Sequence, residues 1–289
     1  MDDQTDCRPL GGPEDPPTPP FSQLMADTSP AAAHRYFNGL RELGPTRRLE
    51  VVAGLSRMVR SFAFLGARRR HPNESVAALR LHVAEAMYGK LEDRFGLEQY
   101  SGEFMAADSY RPELIALVIG EALDALGIAY FLGGSIASGL QGEPRATNDI
   151  DLVVELKESQ IAPLAQRLGS DFSVDEEALK DAVRRKRSDN IFFLPFFTKI
   201  DLFICGSTPF DESEMARRIR FELEPGRYVW IKSPEDSVLR KLLWYKAGGG
   251  VLTSQWRDVL GVLRMSGPEM DIRYLEEWAQ RLGINSYSK

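Results

Sequence analysis

Asp149 and Asp151 stand two residues apart, the second of them inside the apolar run Ile150 to Val154. In a β-strand that spacing sends both carboxylates to one face. Asp201 sits in a second apolar run, Ile200-Asp201-Leu202-Phe203-Ile204. Core strands avoid lone aspartates, because taking a carboxylate out of water is costly unless it is paired. Three of them meeting at one sheet edge require opposing charge. A pair of divalent cations supplies it, and such a pair serves in-line phosphoryl or nucleotidyl transfer. On this reading Asp149 and Asp151 hold the metal on a triphosphate. Asp201 helps hold the second metal and acts on the attacking hydroxyl. The competing reading is a turn at Asn148-Asp149 with Asp151 at a strand edge.

Gly133-Gly134-Ser135 follows a short apolar segment, Ile128 to Leu132, and precedes a helical one. Glycines at such a junction let backbone approach a phosphate, and the helix N-terminus offers free N–H groups. In isolation the same tripeptide is an ordinary turn. Arg145 and Thr147, just ahead of the aspartates, either bind phosphate or brace the loop.

Around these residues the chain reads as alternating elements. Helices are expected over residues 112–126, 134–140, 159–168 and 175–185, with strands over 128–132, 150–156, 191–194 and 197–204. Phe221–Leu223 and Tyr228–Ile231 form a hairpin about Pro225-Gly226. Three helices end the chain, over 234–246, 254–265 and 271–282. Ahead of this region, Leu49, Val52, Leu55, Val59 and Phe62 make one apolar stripe at helical spacing, and Val76, Leu79, Val83, Met87 and Leu91 make another. Pro72 stops the first helix, and Asn73 or Ser75 caps the second. Ser29-Pro30 is the expected start of order. Residues 1–30, rich in Pro and Asp, lack the apolar content to fold and are expected to be a disordered tail.

Composition narrows the class. Hydrophobic residues make 43% and charged residues 27% of 289, a soluble globular balance. No apolar stretch is long enough to span a bilayer, and the acidic N-terminus lacks the apolar core of a secretory signal. The two cysteines, Cys7 and Cys205, are read as reduced thiols, and the location as cytoplasmic. Net charge is uneven. Residues 1–30 hold one Arg against six acids, a net of −5, whereas residues 31–90 hold eleven Lys/Arg against four acids, a net of +7. The basic segment, with Arg68-Arg69-Arg70 at its centre, is either a solvated helical face or a contact for nucleic acid or an acidic partner. His34, His71 and His82 are scattered and are read as surface or capping residues.

The order Gly-Gly-Ser, then Arg145-Ala146-Thr147-Asn148-Asp149-Ile150-Asp151, then a third Asp on a later strand resembles the DNA polymerase β-like nucleotidyltransferase superfamily. It is similar to the prokaryotic branch that includes the toxins of type IV toxin–antitoxin and abortive-infection systems. The resemblance covers roughly residues 111–265. It implies an α+β fold, a minimal mixed sheet flanked by helices, and Mg²⁺-dependent transfer of a nucleoside monophosphate from an NTP. Two Mg²⁺ ions are implied, with Mn²⁺ as the alternative. Ser233-Pro234-Glu235-Asp236 through Leu242 resembles the branch's Pro-Glu-Asp helix, and Arg257-Asp258 its following Arg-Asp segment. The likeness assigns Lys241 to phosphate and Asp258 to orienting Lys241 or the acceptor. Lys246 is the rival for Lys241, and a surface ion pair is the alternative for both. Arg68 through Lys90 more loosely resembles a small helical companion of such enzymes.

The expected organisation is a tail (1–30), a basic helical module (31–95), a linker (96–110), a nucleotidyltransferase core (111–232) and a helical C-terminal cap (233–289). The expected activity is nucleotidyl transfer to a hydroxyl of RNA, protein or a small molecule. The alternatives are a non-catalytic nucleotide-binding or antitoxin-like module and an antibiotic-type nucleotidyltransferase. The expected site comprises Asp149, Asp151 and Asp201 as metal ligands and catalytic residues, with Gly133, Gly134, Ser135, Arg145, Thr147, Lys241 and Asp258 around the nucleotide.

Overall fold

At the centre of the sheet two strands, β2 (Asp149–Val154) and β5 (Thr198–Ile204), run parallel and pair residue for residue. Their alternation decides what each face does. Ile150, Leu152 and Val154 of β2 and Ile200, Leu202 and Ile204 of β5 point into one core and are buried. Each such side chain contributes roughly 1.5–3 kcal/mol through its burial. Asp149, Asp151, Lys199 and Asp201 fall on the other parity, and therefore on the opposite face.

This computed structural model describes residues 29–91, 109–248 and 253–285. Residues 1–28 of the expected tail over 1–30, with Cys7, and most of the expected linker over 96–110 lie outside the described residues. The remaining elements in chain order are α1 (Pro30–Arg70), α2 (Val76–Tyr88), α3 (Pro112–Ala125), β1 (Tyr130–Leu132), α4 (Gly134–Gln141), α5 (Glu158–Leu168), β3 (Phe172–Ser173), α6 (Glu176–Arg185), β4 (Ser188–Phe193), α7 (Pro209–Ala216), β6 (Ile219–Glu224), β7 (Arg227–Ile231), α8 (Pro234–Ala247), α9 (Thr253–Ser266) and α10 (Ile272–Arg281). The seven strands form one sheet in the order β3-β4-β5-β2-β1-β7-β6. Pairing is parallel at β2/β5 and β1/β7 and antiparallel elsewhere. This is the α+β class with a mixed sheet flanked by helices. No described helix is long and apolar enough to cross a membrane.

The N-terminal helices share the sheet's core. Leu49 and Val52 of α1 belong to the same cluster as Ile115, Leu123, Ile136, Leu140 and the inward residues of β2 and β5. The buried face of α1 matches the apolar stripe read from the sequence at Leu49 and Val52 and departs from it beyond them, since Val59 and Phe62 are exposed. It runs through Leu49, Val52, Ala53, Ser56, Arg60 and Ala67. Arg48, Ser56 and Arg60 take buried positions because each finds partners there, Arg48 at the Leu40 and Leu140 carbonyls. Ser56 donates to the Val52 carbonyl and accepts from the Thr147 amide, and Arg60 meets several oxygens described below. Gly44, at φ +70°, and Pro45, which has no N–H to donate, kink α1 near its first third.

Ser29 and Ser75 cap α1 and α2, accepting from the Ala32 and Ala78 amides at 3.2 Å. The helix α7 was not expected from periodicity. It is started by Thr208 and Asp211, each accepting from the other's backbone N–H. The C-terminal helices form a second core around Phe210, Leu239, Leu242, Tyr245, Trp256, Val259 and Trp278. Asp236 and Glu235 tie that unit together. Asp236 accepts from Ser233 Oγ at 2.6 Å and Tyr274 Oη at 2.7 Å, and Glu235 accepts from the Asp271 amide at 2.9 Å. The Pro-Glu-Asp segment therefore works as a brace between α8 and α10.

Candidate active site

The parallel register of β2 and β5 sets Asp151 directly across from Asp201 and Asp149 across from Lys199. The aspartates feel one another. Burial first, then the charges of Asp149 and Asp201, push the Asp151 carboxyl up to about 7, against the pull of Lys199 and Lys241. Asp201 is raised too, mainly by burial, and hydrogen bonds from Lys199 and Asn190 oppose the shift. Lys199 closes an ion pair with Asp201 at 2.8 Å. The three aspartates are not drawn into a single-ion knot. Among the described residues the trio whose ligand atoms all lie within 4.8 Å of one another is a different one, His71, Glu74 and His82.

Gly133 and Gly134 join β1 to α4, and the Gly133 amide donates to the Asp151 carbonyl at 2.9 Å. Gly134 lies at φ +53°, and a Cβ placed there would come within 1.7 Å of Asp151 Oδ2. The glycine is thus required twice, once by the backbone conformation and once by the carboxylate that packs on it. Ser135 is buried in the first turn of α4.

The loop before β2 is held from several sides. Thr147 Oγ1 donates to its neighbour Asp149, at 3.0 Å to the carbonyl and 3.1 Å to Oδ1. Arg60, 7% exposed, donates to the Asn148 carbonyl at 3.0 Å, the Phe196 carbonyl at 2.9 Å, and the hydroxyls of Tyr88 and Tyr110 at 2.9 and 3.3 Å. Tyr88 Oη also donates to the Asn148 carbonyl, at 2.5 Å. The N-terminal helices therefore fix the residue immediately before Asp149.

On the C-terminal side Lys241 is buried and donates to Asp258 Oδ2 at 2.7 Å. Arg145 reaches the same carboxylate with two nitrogens, each at 3.2 Å. Lys241, Asp258 and Arg145 thus form one linked group, and Lys241 lies close enough to Asp151 to favour its charged form. Lys246 sits elsewhere, donating to the Gly283 carbonyl at 2.8 Å on the surface. Arg257, next to Asp258, pairs with Glu143. Arg68, Arg69 and Arg70 are exposed at the end of α1.

The donor set is wholly carboxylate oxygen, which fits hard cations such as Mg²⁺ or Mn²⁺ rather than a thiolate- or imidazole-seeking metal. Three half-buried acids on one sheet face, one of them pushed up to about 7, fit the same conclusion, since a cation would relieve the repulsion. Lys199 was not among the site residues expected from the sequence. Its position two residues before Asp201 on one strand was the signal that could have placed it beside the carboxylates. Arg60, Tyr88 and Asn190 carried no such signal, because strand register and long-range packing bring them in. One further expectation is revised. His71 and His82 are not scattered, as their rings stack with centroids 4.1 Å apart. Cys205 is a buried thiol, pushed up to about 11 chiefly by burial.

No protein-family model and no curated protein matches the chain. Solved structures do resemble it. An antigenic nucleotidyltransferase-like protein from Paracoccidioides brasiliensis is 18% identical with a TM-score of 0.32, over 52% of this chain and 74% of that one. The antibiotic-resistance factor ANT(2″)-Ia is 15% identical with a TM-score of 0.37, over 61% of this chain and 94% of that one.

Proposed function

We propose that this protein is a divalent-metal-dependent nucleotidyltransferase that moves a nucleoside monophosphate from an NTP to a hydroxyl. The observation that carries the reading is the register of Asp151 against Asp201, with Asp149 on the same face and Gly134 beneath Asp151. Asp149, Asp151 and Asp201 would hold two Mg²⁺ ions, which when bound neutralise the triphosphate and the departing pyrophosphate. The chain's own residues supply the rest. Gly133, Gly134 and Ser135 present backbone N–H groups and a hydroxyl at the start of α4, where phosphate oxygens are favoured. Lys241, steadied by Asp258, offers an ammonium to phosphate, and Arg145 shares that carboxylate. Asp201, already raised by burial, is suited to accept the acceptor hydroxyl's proton on its carboxylate. Thr147 and Arg60 keep the Asp149 backbone in place.

The favoured acceptor is a hydroxyl of RNA or protein, as for a toxin-like enzyme. The support is the exposed Arg68-Arg69-Arg70 cluster on the basic α1. The test is incubation of the protein with each labelled NTP, Mg²⁺ and total cellular RNA or protein. Label is expected in a macromolecule with the wild type and absent with Asp201→Asn. Label transfer that survives Asp201→Asn overturns the reading. A triple Arg→Ala change at 68–70 should flatten the salt dependence of RNA binding, and an unchanged slope removes RNA from the proposal.

A further inference from the structure

We propose that His71, Glu74 and His82 form a transition-metal site of the Zn²⁺ class that staples the end of α1 to α2. This site is separate from the carboxylate site and does not depend on the nucleotidyltransferase reading.

The three residues come from different structural positions. His71 is the C-cap of α1, Glu74 lies in the turn, and His82 is in the second turn of α2. Folding of the helical hairpin brings them together. His71 Nδ1 is 3.2 Å from Glu74 Oε1, and His82 Nε2 is 2.7 Å from Glu74 Oε2. All three ligand atoms fall within 4.8 Å of one another. A tetrahedral ion with bonds of about 2.0–2.1 Å needs ligand atoms about 3.3 Å apart, so the cluster is already near coordinating size.

The chemistry of the donors selects the ion. Two imidazoles and one carboxylate match Zn²⁺ and its neighbours, whereas Mg²⁺ prefers oxygen alone. The side chains are 33–40% exposed, which leaves the remaining coordination position to water. In the structure the two rings stack at 4.1 Å and 15°, with Glu74 bridging them. Loading turns both rings edge-on to the ion, a side-chain rotation that their exposure permits.

The hairpin has use for such a staple. Its private core is small, with Ala67, Leu79 and Val83 buried and Ala63, Phe64 and Met87 packed on them. The far end of α2 carries Tyr88, whose hydroxyl holds the Asn148 carbonyl. Fixing α2 at its first turns therefore steadies the helix that reaches the candidate active site.

The competing account is that Glu74 only hydrogen-bonds the two rings to cap the turn. Substitution by glutamine separates the two, because Gln keeps a donor toward Glu74 but is a poor metal ligand. Metal-stripped full-length protein is titrated with Zn²⁺ by calorimetry in excess Mg²⁺, alongside His71→Gln, His82→Gln and Asp151→Asn. The melting temperature of each is read with and without Zn²⁺. One Zn²⁺ per chain is expected for the wild type and Asp151→Asn, with a rise in melting temperature. Affinity at least tenfold weaker and no such rise are expected for both His variants. Equal binding by the His variants, or no saturable binding by the wild type, overturns the site. Melting curves without metal report whether a variant is folded, and Glu74→Gln replaces any that is not.

Discussion

Lys199 and Asp201 face the same side of β5, and the lysine Nζ lies 2.8 Å from the carboxylate. Lys199 thereby balances part of the charge that the three aspartates place on that face. Replacing it by Met keeps much of the bulk and removes the ammonium. The metal-free protein should then lose about 1–2 kcal/mol, because a partly buried acid is left without its partner. Added Mg²⁺ should raise the melting temperature of Lys199→Met more than that of the wild type. Equal Mg²⁺ responses would show that lysine and cation do not share a role.

Gly134 offers a sharper test of the turn. Alanine there meets both a positive φ, at about 1–2 kcal/mol, and the Asp151 carboxylate. Either the turn or the carboxylate must move. Gly134→Ala should lower the urea midpoint by an amount worth roughly 2 kcal/mol or more and depress transfer at least tenfold. Gly133→Ala, where an added Cβ meets nothing within 4 Å, should be much milder. Equal effects at the two positions would contradict the packing of Asp151 on Gly134.

Much of this arrangement was legible in the sequence, for physical reasons. A period of two forces Asp149, Asp151, Lys199 and Asp201 onto one side of their strands. Ser29-Pro30 and Ser75 announced helix starts through capping chemistry that is local. Thr208-Pro209-Phe210-Asp211 carries the same kind of signal for α7, although that helix shows weak apolar periodicity. The pairing of Asn190 with Asp201 was not legible, since register between strands depends on the whole sheet. Nor was the buried face of α1. An apolar count favours Val59 and Phe62, whereas the core takes Ser56 and Arg60, because the Thr147 amide donates to Ser56 and distant carbonyls and hydroxyls accept from Arg60.

Arg60 itself should prove essential to the fold near the site. Arg60→Met would leave the Asn148 and Phe196 carbonyls short of a donor, at a cost of about 2–4 kcal/mol. Tyr88→Phe removes a single donor to Asn148 and should cost only about 1 kcal/mol. If the clamp positions Asp149, Tyr88→Phe lowers the turnover of the folded enzyme several-fold with little change in NTP binding. A variant with unaltered turnover would reduce the clamp to a structural role.

Asp151→Asn separates catalysis from stability through pH. The folded protein holds the Asp151 proton up to about 7, whereas an unfolded chain releases it near an ordinary carboxyl value of 3.8. Between those values the native state binds more protons, so wild-type stability falls as pH rises from about 4 to 7. Above that range the native state carries an unfavourable buried charge. Asparagine carries none. In chelator, Asp151→Asn should therefore be more stable than the wild type at pH 8, by roughly 1–3 kcal/mol. That advantage should shrink on acidification and vanish below about pH 4, where Asp151 is protonated in both states. Nucleotidyl transfer should meanwhile be abolished at every pH. Thermal melts at pH 4 and pH 8, read beside transfer assays, check both parts. A pH-independent advantage would mean that burial and the neighbouring acids do not raise Asp151, and undiminished transfer would remove it from the catalytic group.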